Sequence, residues 1–125
     1  MTLTKSKGSA SLPNKPRYRY ENVQCIECYD ADTITAIIDF GMKLTQEVRV
    51  RLARINAPEV KGPETPQGKI ARDFLRKRIL NQPIVLESLK FEKYGRLLCE
   101  VYDQSGKNIN DELVRVNLAQ YKDYE

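Results

Sequence analysis

Residues 22–55 read NVQCIECYDADTITAIIDFGMKLTQEVRVRLARI. Three strand-like runs stand out, 22–29, 32–39 and 46–55. The second is crowded with β-branched Thr33, Ile34, Thr35, Ile37 and Ile38, which fit a pleated, half-buried surface. In the third, Val48, Val50 and Leu52 face one way and Arg49 and Arg51 the other, because strand side chains alternate. Asp30-Ala31 makes a tight connection between the first two runs. Residues 39–42 form the next turn, with Gly41 free to take a positive φ.

Working outward, a loop runs from Asn56 to Glu64 and carries Pro58, Gly62 and Pro63. A helix over 65–80 then opens with Thr65 as N-cap and Pro66 at the first helical position. Ile70, Ala71, Phe74 and Leu75 form its apolar stripe, and Lys69, Arg72, Arg76 and Lys77 fill the rest. Asn81-Gln82-Pro83 ends it. Two more strands, 84–89 and 96–103, are joined through Glu92-Lys93-Tyr94-Gly95. A second helix over 109–119 has Asp111 and Glu112 in its first turn, favourable to the helix dipole. Ile109, Leu113 and Val116 give it an apolar edge. Three strands, helix, two strands, helix predicts an α+β, mainly β chain: a five-stranded OB-fold barrel with two helices. Such a barrel binds a polymer, a sugar or nucleic acid, and the fold alone does not choose among them.

The chain has 125 residues, the size of one domain, and its 41% hydrophobic content is enough for a single core. It has no histidine. That excludes Ser-His-Asp triads, Cys-His pairs and histidine-metal hydrolases, and leaves acid–base work to carboxylates, Lys, Tyr or water. Charge is unevenly placed. Residues 1–20 carry Lys5, Lys7, Lys15, Arg17 and Arg19 and no acid; 21–42 carry five acids and no base; 43–78 carry ten bases and four acids. The +4 total is supplied by the N-terminal stretch, and 21–125 is close to neutral. An acidic block suggests a cation, and the basic block after it a phosphate.

Residues 1–20, rich in Ser, Lys, Gly and Pro, are expected to be a flexible basic tail ahead of a domain over 21–125. No run of about 18 apolar residues is present, so no membrane span is expected. The N-terminus lacks the continuous apolar core of a signal peptide. A cytoplasmic chain is the simpler expectation, a secreted one with its leader removed the alternative. Three cysteines are an odd number, against a closed disulfide framework. Cys25 and Cys28 form C-x-x-C, but on a strand positions three apart point to opposite faces. They are expected to be structural.

Four motifs carry the chemistry: Asp30-Ala31-Asp32-Thr33, the run Arg51 to Glu59 (RLARINAPE), the basic helix 65–80, and Lys93-Tyr94-Gly95-Arg96. In this order and spacing the chain resembles the staphylococcal-nuclease-like (thermonuclease) family, from about residue 22 to about 120. The resemblance implies a metal-dependent nuclease that cleaves DNA and RNA, single strands preferred, with little sequence preference and 3′-phosphate products. Arg51 and Arg96 align with its phosphate-binding arginines and Glu59 with its catalytic glutamate. Asp32, Asn56 and the main-chain carbonyl of Ala57 align with metal ligands, and Asp30 lies near the ion or its waters. Lys93 and Tyr94 align with residues that contact the terminal phosphate of the nucleotide.

The elementary chemistry agrees with those assignments. Hydrolysis of a phosphodiester needs a water, a proton acceptor and positive charge around the phosphorus. Arginine is always charged and forks onto phosphate oxygens. Ca²⁺ suits an irregular shell of oxygens and comes ahead of Mg²⁺ or Mn²⁺. Asn56 stands where the family has an aspartate, so one negative charge is lost at the metal. Tyr121 and Tyr124 fall out of register with the family's later tyrosine pair. The expected working form is a monomer. The alternative is an OB-fold module that binds nucleic acid without turnover, which Asn56 favours and Arg51, Glu59 and Arg96 oppose.

Overall fold

The computed structural model describes residues 18–60, 65–92 and 94–122. The elements in order are β1 Tyr18–Asp30, β2 Thr33–Gly41, β3 Leu44–Leu52, β4 Ile55–Asn56, α1 Thr65–Ile79, β5 Pro83–Phe91, β6 Arg96–Tyr102, α2 Ile109–Arg115 and β7 Gln120–Tyr121. Five of the strands close into a barrel in the order β1-β2-β3-β6-β5, and β5 returns to β1. All neighbours are antiparallel except β3 and β6. The mainly β barrel with two helices is thus as the sequence predicts. Closure leaves the barrel no open sheet edge.

Alternation explains the interior. Ile34, Ala36 and Ile38 of β2 point inward, as do Val50 and Leu52 of β3, Ile84 and Leu86 of β5, and Leu97, Cys99 and Val101 of β6. On α1, Ala71, Leu75 and Ile79 recur every fourth residue and are buried, and the helix packs on β1. Truncating Leu75 to alanine would cost about 2–5 kcal/mol. Ile70, expected in the stripe, is 61% exposed; the buried face is centred on the Ala71–Leu75–Ile79 line, one residue round the helix from it, with Phe74 at its edge. α2 packs on β6 and is tied there by the wholly buried Asn110. Its amide donates to the carbonyls of Ala53 and Cys99 and accepts from Val101 N, which satisfies a costly buried group.

Several boundaries differ from expectation, each for a local reason. β1 begins at Tyr18, and Tyr18–Tyr20 pair with Ser88–Leu86, so these three residues assigned to the tail are strand. Residues 1–17 lie outside the described residues. The β1–β2 connection is Ala31-Asp32, one residue later than expected, because Asp30 pairs with Thr33. At the next turn, Met42 and Lys43 both take positive φ, 55° and 62°, as a two-residue hairpin turn requires, with Gly41 just before them. The third strand breaks after Leu52: Arg54 has φ 68° and redirects the chain into the separate β4–β7 pair.

α2 is shorter than the 109–119 expected. Asn108 caps it by accepting from Asp111 N, and Asn117, at φ 64°, ends it. The bonds Asn117 N to Val114 O and Leu118 N to Leu113 O complete a left-handed C-terminal cap.

The cysteine expectation also needs correction. A bulge in β1 between Cys25 and Glu27 spends one extra residue. Cys25 and Cys28 therefore point to the same side, with Sγ atoms 3.7 Å apart and both fully buried. Their place in the hydrophobic core fits a packing role. The Cys28 thiol is pushed up by its hydrogen bond to Cys25 and by burial, and burial pushes Cys99 up to about 12. No described helix is long and apolar enough to cross a membrane.

Candidate active site

The β1–β2 turn sets the first part of the site. Asp32 is only 7% exposed because its carboxylate is drawn inward by donors. Oδ2 accepts from Ala57 N at 2.8 Å, and Thr33 Oγ1 donates to Oδ1 at 3.2 Å. Asp30 Oδ1 accepts from Val60 N at 3.0 Å. The two aspartates of the Asp-x-Asp turn thus hold the main chain on either side of Pro58 and Glu59. Glu59 itself is exposed, on a loop whose backbone is tied down.

Arg51 comes from the end of β3, beside Thr33 in register. It lies on the outer side of the strand yet is 6% exposed. Its guanidinium turns onto the 52–55 bend, where Nη1 donates to Leu52 O at 2.7 Å and Nη2 to Ile55 O at 3.0 Å. Nη2 also lies 3.5 Å from Asp32 Oδ2. A planar fork held by two carbonyls has a fixed orientation, unlike an ordinary surface arginine.

Arg96 opens β6. The parallel register sets Arg49 beside Arg96 and Arg51 beside Leu98. Register partners point the same way, so Arg49, Arg51 and Arg96 share the outer face of the sheet. Arg96 is offset from the level of Arg51 by two residues, ~7 Å along the strand. Its Nε donates to Glu92 Oε1 at 3.0 Å. Tyr94 is 76% exposed and Phe91 67% at the same tip. Lys93 lies outside the described residues, as do 61–64 and Tyr124.

Direct contacts join Asp30, Asp32 and Arg51 to the main chain of the 55–60 stretch, which carries Asn56 and Glu59, while Arg96 lies on the neighbouring strand, level with Arg49. The donors expected for a metal are all oxygens: Asp32 and Asp30 carboxylates, the Asn56 amide and the Ala57 carbonyl. That chemistry suits a hard cation. Asn56 is exposed and follows directly on the fixed bend. Among the described residues, no group of three or more His, Cys, Asp or Glu side chains could hold a metal ion. Any metal set here therefore rests on the mixed amide and carbonyl donors as well as carboxylates.

Sequence reasoning missed a second cluster, which supports this region from behind. Arg54 donates to both oxygens of Glu100, at 2.6 and 2.7 Å, and to Asp111 at 2.9 Å. It also lies over the Tyr121 ring, whose hydroxyl donates to Asp111 at 2.9 Å. The two carboxylates hold the Arg54 guanidinium well above its ordinary value, Glu100 first. Tyr121 belongs to this lock, which binds β7 to β4 beside Asn56. Its only signal in sequence was charge on both sides of a bend. Arg49, read from the alternation as sharing a strand face with Arg51, does so and stands beside Arg96.

Fold and site together define a five-stranded barrel that gathers arginines and carboxylates on one side of β3. Residues 49–125 match the profile of the staphylococcal nuclease homologue family, and the chain belongs to that family. It is 36% identical to the thermonuclease of Staphylococcus hyicus over 122 aligned residues, covering 93% of this chain and 66% of the relative. It is 40% identical to the thermonuclease of Staphylococcus intermedius over 95 residues, covering 72% of this chain and 50% of the relative. An uncharacterised endonuclease of Escherichia coli is 30% identical over 94 residues, covering 75% and 56%. The chain thus spans between half and two thirds of the length of these relatives.

Proposed function

We propose that the protein hydrolyses phosphodiester bonds of DNA and RNA, single strands first, with the help of a divalent cation, Ca²⁺ ahead of Mg²⁺ or Mn²⁺. One observation carries the reading. The carboxylate of Asp32 bonds the main chain of the Glu59 loop at 2.8 Å and faces the guanidinium of Arg51 at 3.5 Å. The contact ties the loop that carries Glu59, the proposed proton acceptor, to the turn that faces the fixed guanidinium of Arg51. The names of the thermonuclease relatives support the same reaction.

In this reading Arg51 and Arg96 bind the phosphate and favour the charge that grows on it, Arg51 with its orientation already set. Glu59 accepts a proton from, or orders, the water whose oxygen bonds to phosphorus as the P–O bond to the leaving nucleoside breaks. Asp32, Asn56 and the Ala57 carbonyl, with Asp30 nearby, are the proposed cation ligands. When bound, the cation adds positive charge at the phosphate. Lys93 and Tyr94 are the proposed contacts to the terminal phosphate of the nucleotide, and the exposed ring of Tyr94 also suits an unstacked base.

Closure of the barrel supports a monomer, since no barrel edge awaits a partner. Three free, buried cysteines support a reducing, cytoplasmic setting. Binding without turnover is the second reading, and the neutral Asn56 is what favours it. Incubation with heat-denatured DNA and with RNA, in Ca²⁺ or in chelator, separates the two. Degradation that needs the metal is expected; retained binding with no degradation in Ca²⁺, Mg²⁺ or Mn²⁺ would favour the second.

A further inference from the structure

Gly68, in the first turn of α1, is buried against the Glu59 loop. A Cβ placed on Gly68 would sit 1.9 Å from Glu59 O, 2.4 Å from Glu59 C and 2.8 Å from Val60 N. Those three atoms are one peptide unit, the link between Glu59 and Val60. The N–H of that same unit donates to Asp30 Oδ1 at 3.0 Å. The peptide unit leaving Glu59 is therefore confined on one side by the bare backbone of α1 and anchored on another by Asp30. The Asp32 bond to Ala57 N fixes the approach to Glu59 from two residues earlier.

We propose that Gly68 is a positioning residue for Glu59: its missing side chain lets α1 press on the 59–60 peptide and set the direction in which the Glu59 carboxylate leaves the loop. This rests on the reading of Glu59 as the group that meets the attacking water. Glycine weakens a helix relative to alanine, so its place inside α1 calls for a reason, and the contact supplies one. The contacted atoms are backbone, which cannot swing aside as the end of a flexible side chain would. Any Cβ at 68 must displace the peptide or the helix by more than 1 Å to reach an ordinary separation. A misplacement of about 1 Å at a reacting group is enough for about a 100-fold loss of rate.

The test is a double-mutant cycle on single-turnover cleavage of a single-stranded oligonucleotide, with rates normalised to the folded fraction from circular dichroism. Gly68→Ala is expected to slow cleavage about 100-fold with little change in KM. In the Glu59→Gln background the same substitution is expected to change the rate less than about threefold, since there is no longer a carboxylate to aim. Two results overturn the inference alone: a near-normal rate for Gly68→Ala while Glu59→Gln is slow, or an equal loss in both backgrounds. An unchanged rate for Glu59→Gln by itself overturns the reading of Glu59 and the inference with it. If Gly68→Ala is poorly folded, the cycle is run in trimethylamine oxide, which favours the compact state. Failure to fold even there also overturns the proposal, because Gly68 would then serve folding rather than aim.

Discussion

At the scale of single residues, Asn56 has the most direct consequence for chemistry. Among the oxygens proposed for the cation, its amide is the neutral member where a carboxylate would add a charge. Asn56→Asp is expected to tighten Ca²⁺ binding, at least tenfold by titration calorimetry, because a charged ligand in place of a neutral one adds on the order of 1.4 kcal/mol or more. Unchanged or weaker affinity would remove position 56 from the ligand set. Arg51 has the opposite character. Its roles cannot be separated by deletion, since its guanidinium also holds the 52–55 bend through Leu52 O and Ile55 O. Arg96 is half-buried and, among the described residues, its guanidinium pairs with the nearby Glu92 rather than with a chain bend, so it is the cleaner arginine to alter. The roles proposed for Asp32, Arg51, Glu59 and Arg96 come from the family resemblance, and the structure adds that Asp32 contacts both Arg51 and the loop that carries Glu59. The double use of Arg51 was hidden, because carbonyl acceptors leave no trace in side-chain identity.

At the scale of elements, ion pairs decide how the helices are moored. Arg78, in the last turn of α1, donates to Asp103 at 2.5 Å after the end of β6, and to Glu112 of α2 at 3.1 Å. The guanidinium beside Asp103 holds its carboxyl well below the usual carboxylate range, helped by bonds from Ser105 and Lys107. A depressed folded-state value means that this stabilisation is complete above the unfolded value, about pH 4, and fades as pH falls through the folded one. Asp103→Asn is therefore expected to cost about 1–3 kcal/mol in urea unfolding at pH 7. The difference from the parent should shrink below about pH 4. A cost that does not vary with pH would contradict the tie. Element types were legible because 2-residue and 3.6-residue periods are written in apolar positions such as Ile34, Ala36 and Ile38, or Ala71, Leu75 and Ile79. Their ends were less so. Left-handed Arg54 and Asn117, and the extra residue near Cys25, are decided by what the chain must meet in space.

At the scale of the whole molecule, the barrel's part is to bring distant stretches of the chain to one side of β3. Asp30 and Asp32 come from the first hairpin, Arg51 and Glu59 from the middle of the chain, and Arg96 from the strand that pairs with β3 in parallel. The overall charge carries little of this; the local arrangement of a few arginines and carboxylates carries nearly all. The lock of Arg54, Glu100, Asp111 and Tyr121 was not legible, since its members come from the bend after β3 and from β6, α2 and β7, and meet only once those are packed. The central claim is that this site hydrolyses phosphodiesters with Glu59 at the attacking water. The most direct measurement is the single-turnover rate of single-stranded DNA cleavage in Ca²⁺ by the parent protein and by Glu59→Gln, with thermal unfolding as the control. The account predicts a rate lower by about 10²–10⁴-fold at temperatures where both proteins are folded. Equal rates in the two proteins, or no cleavage by the parent, would contradict it.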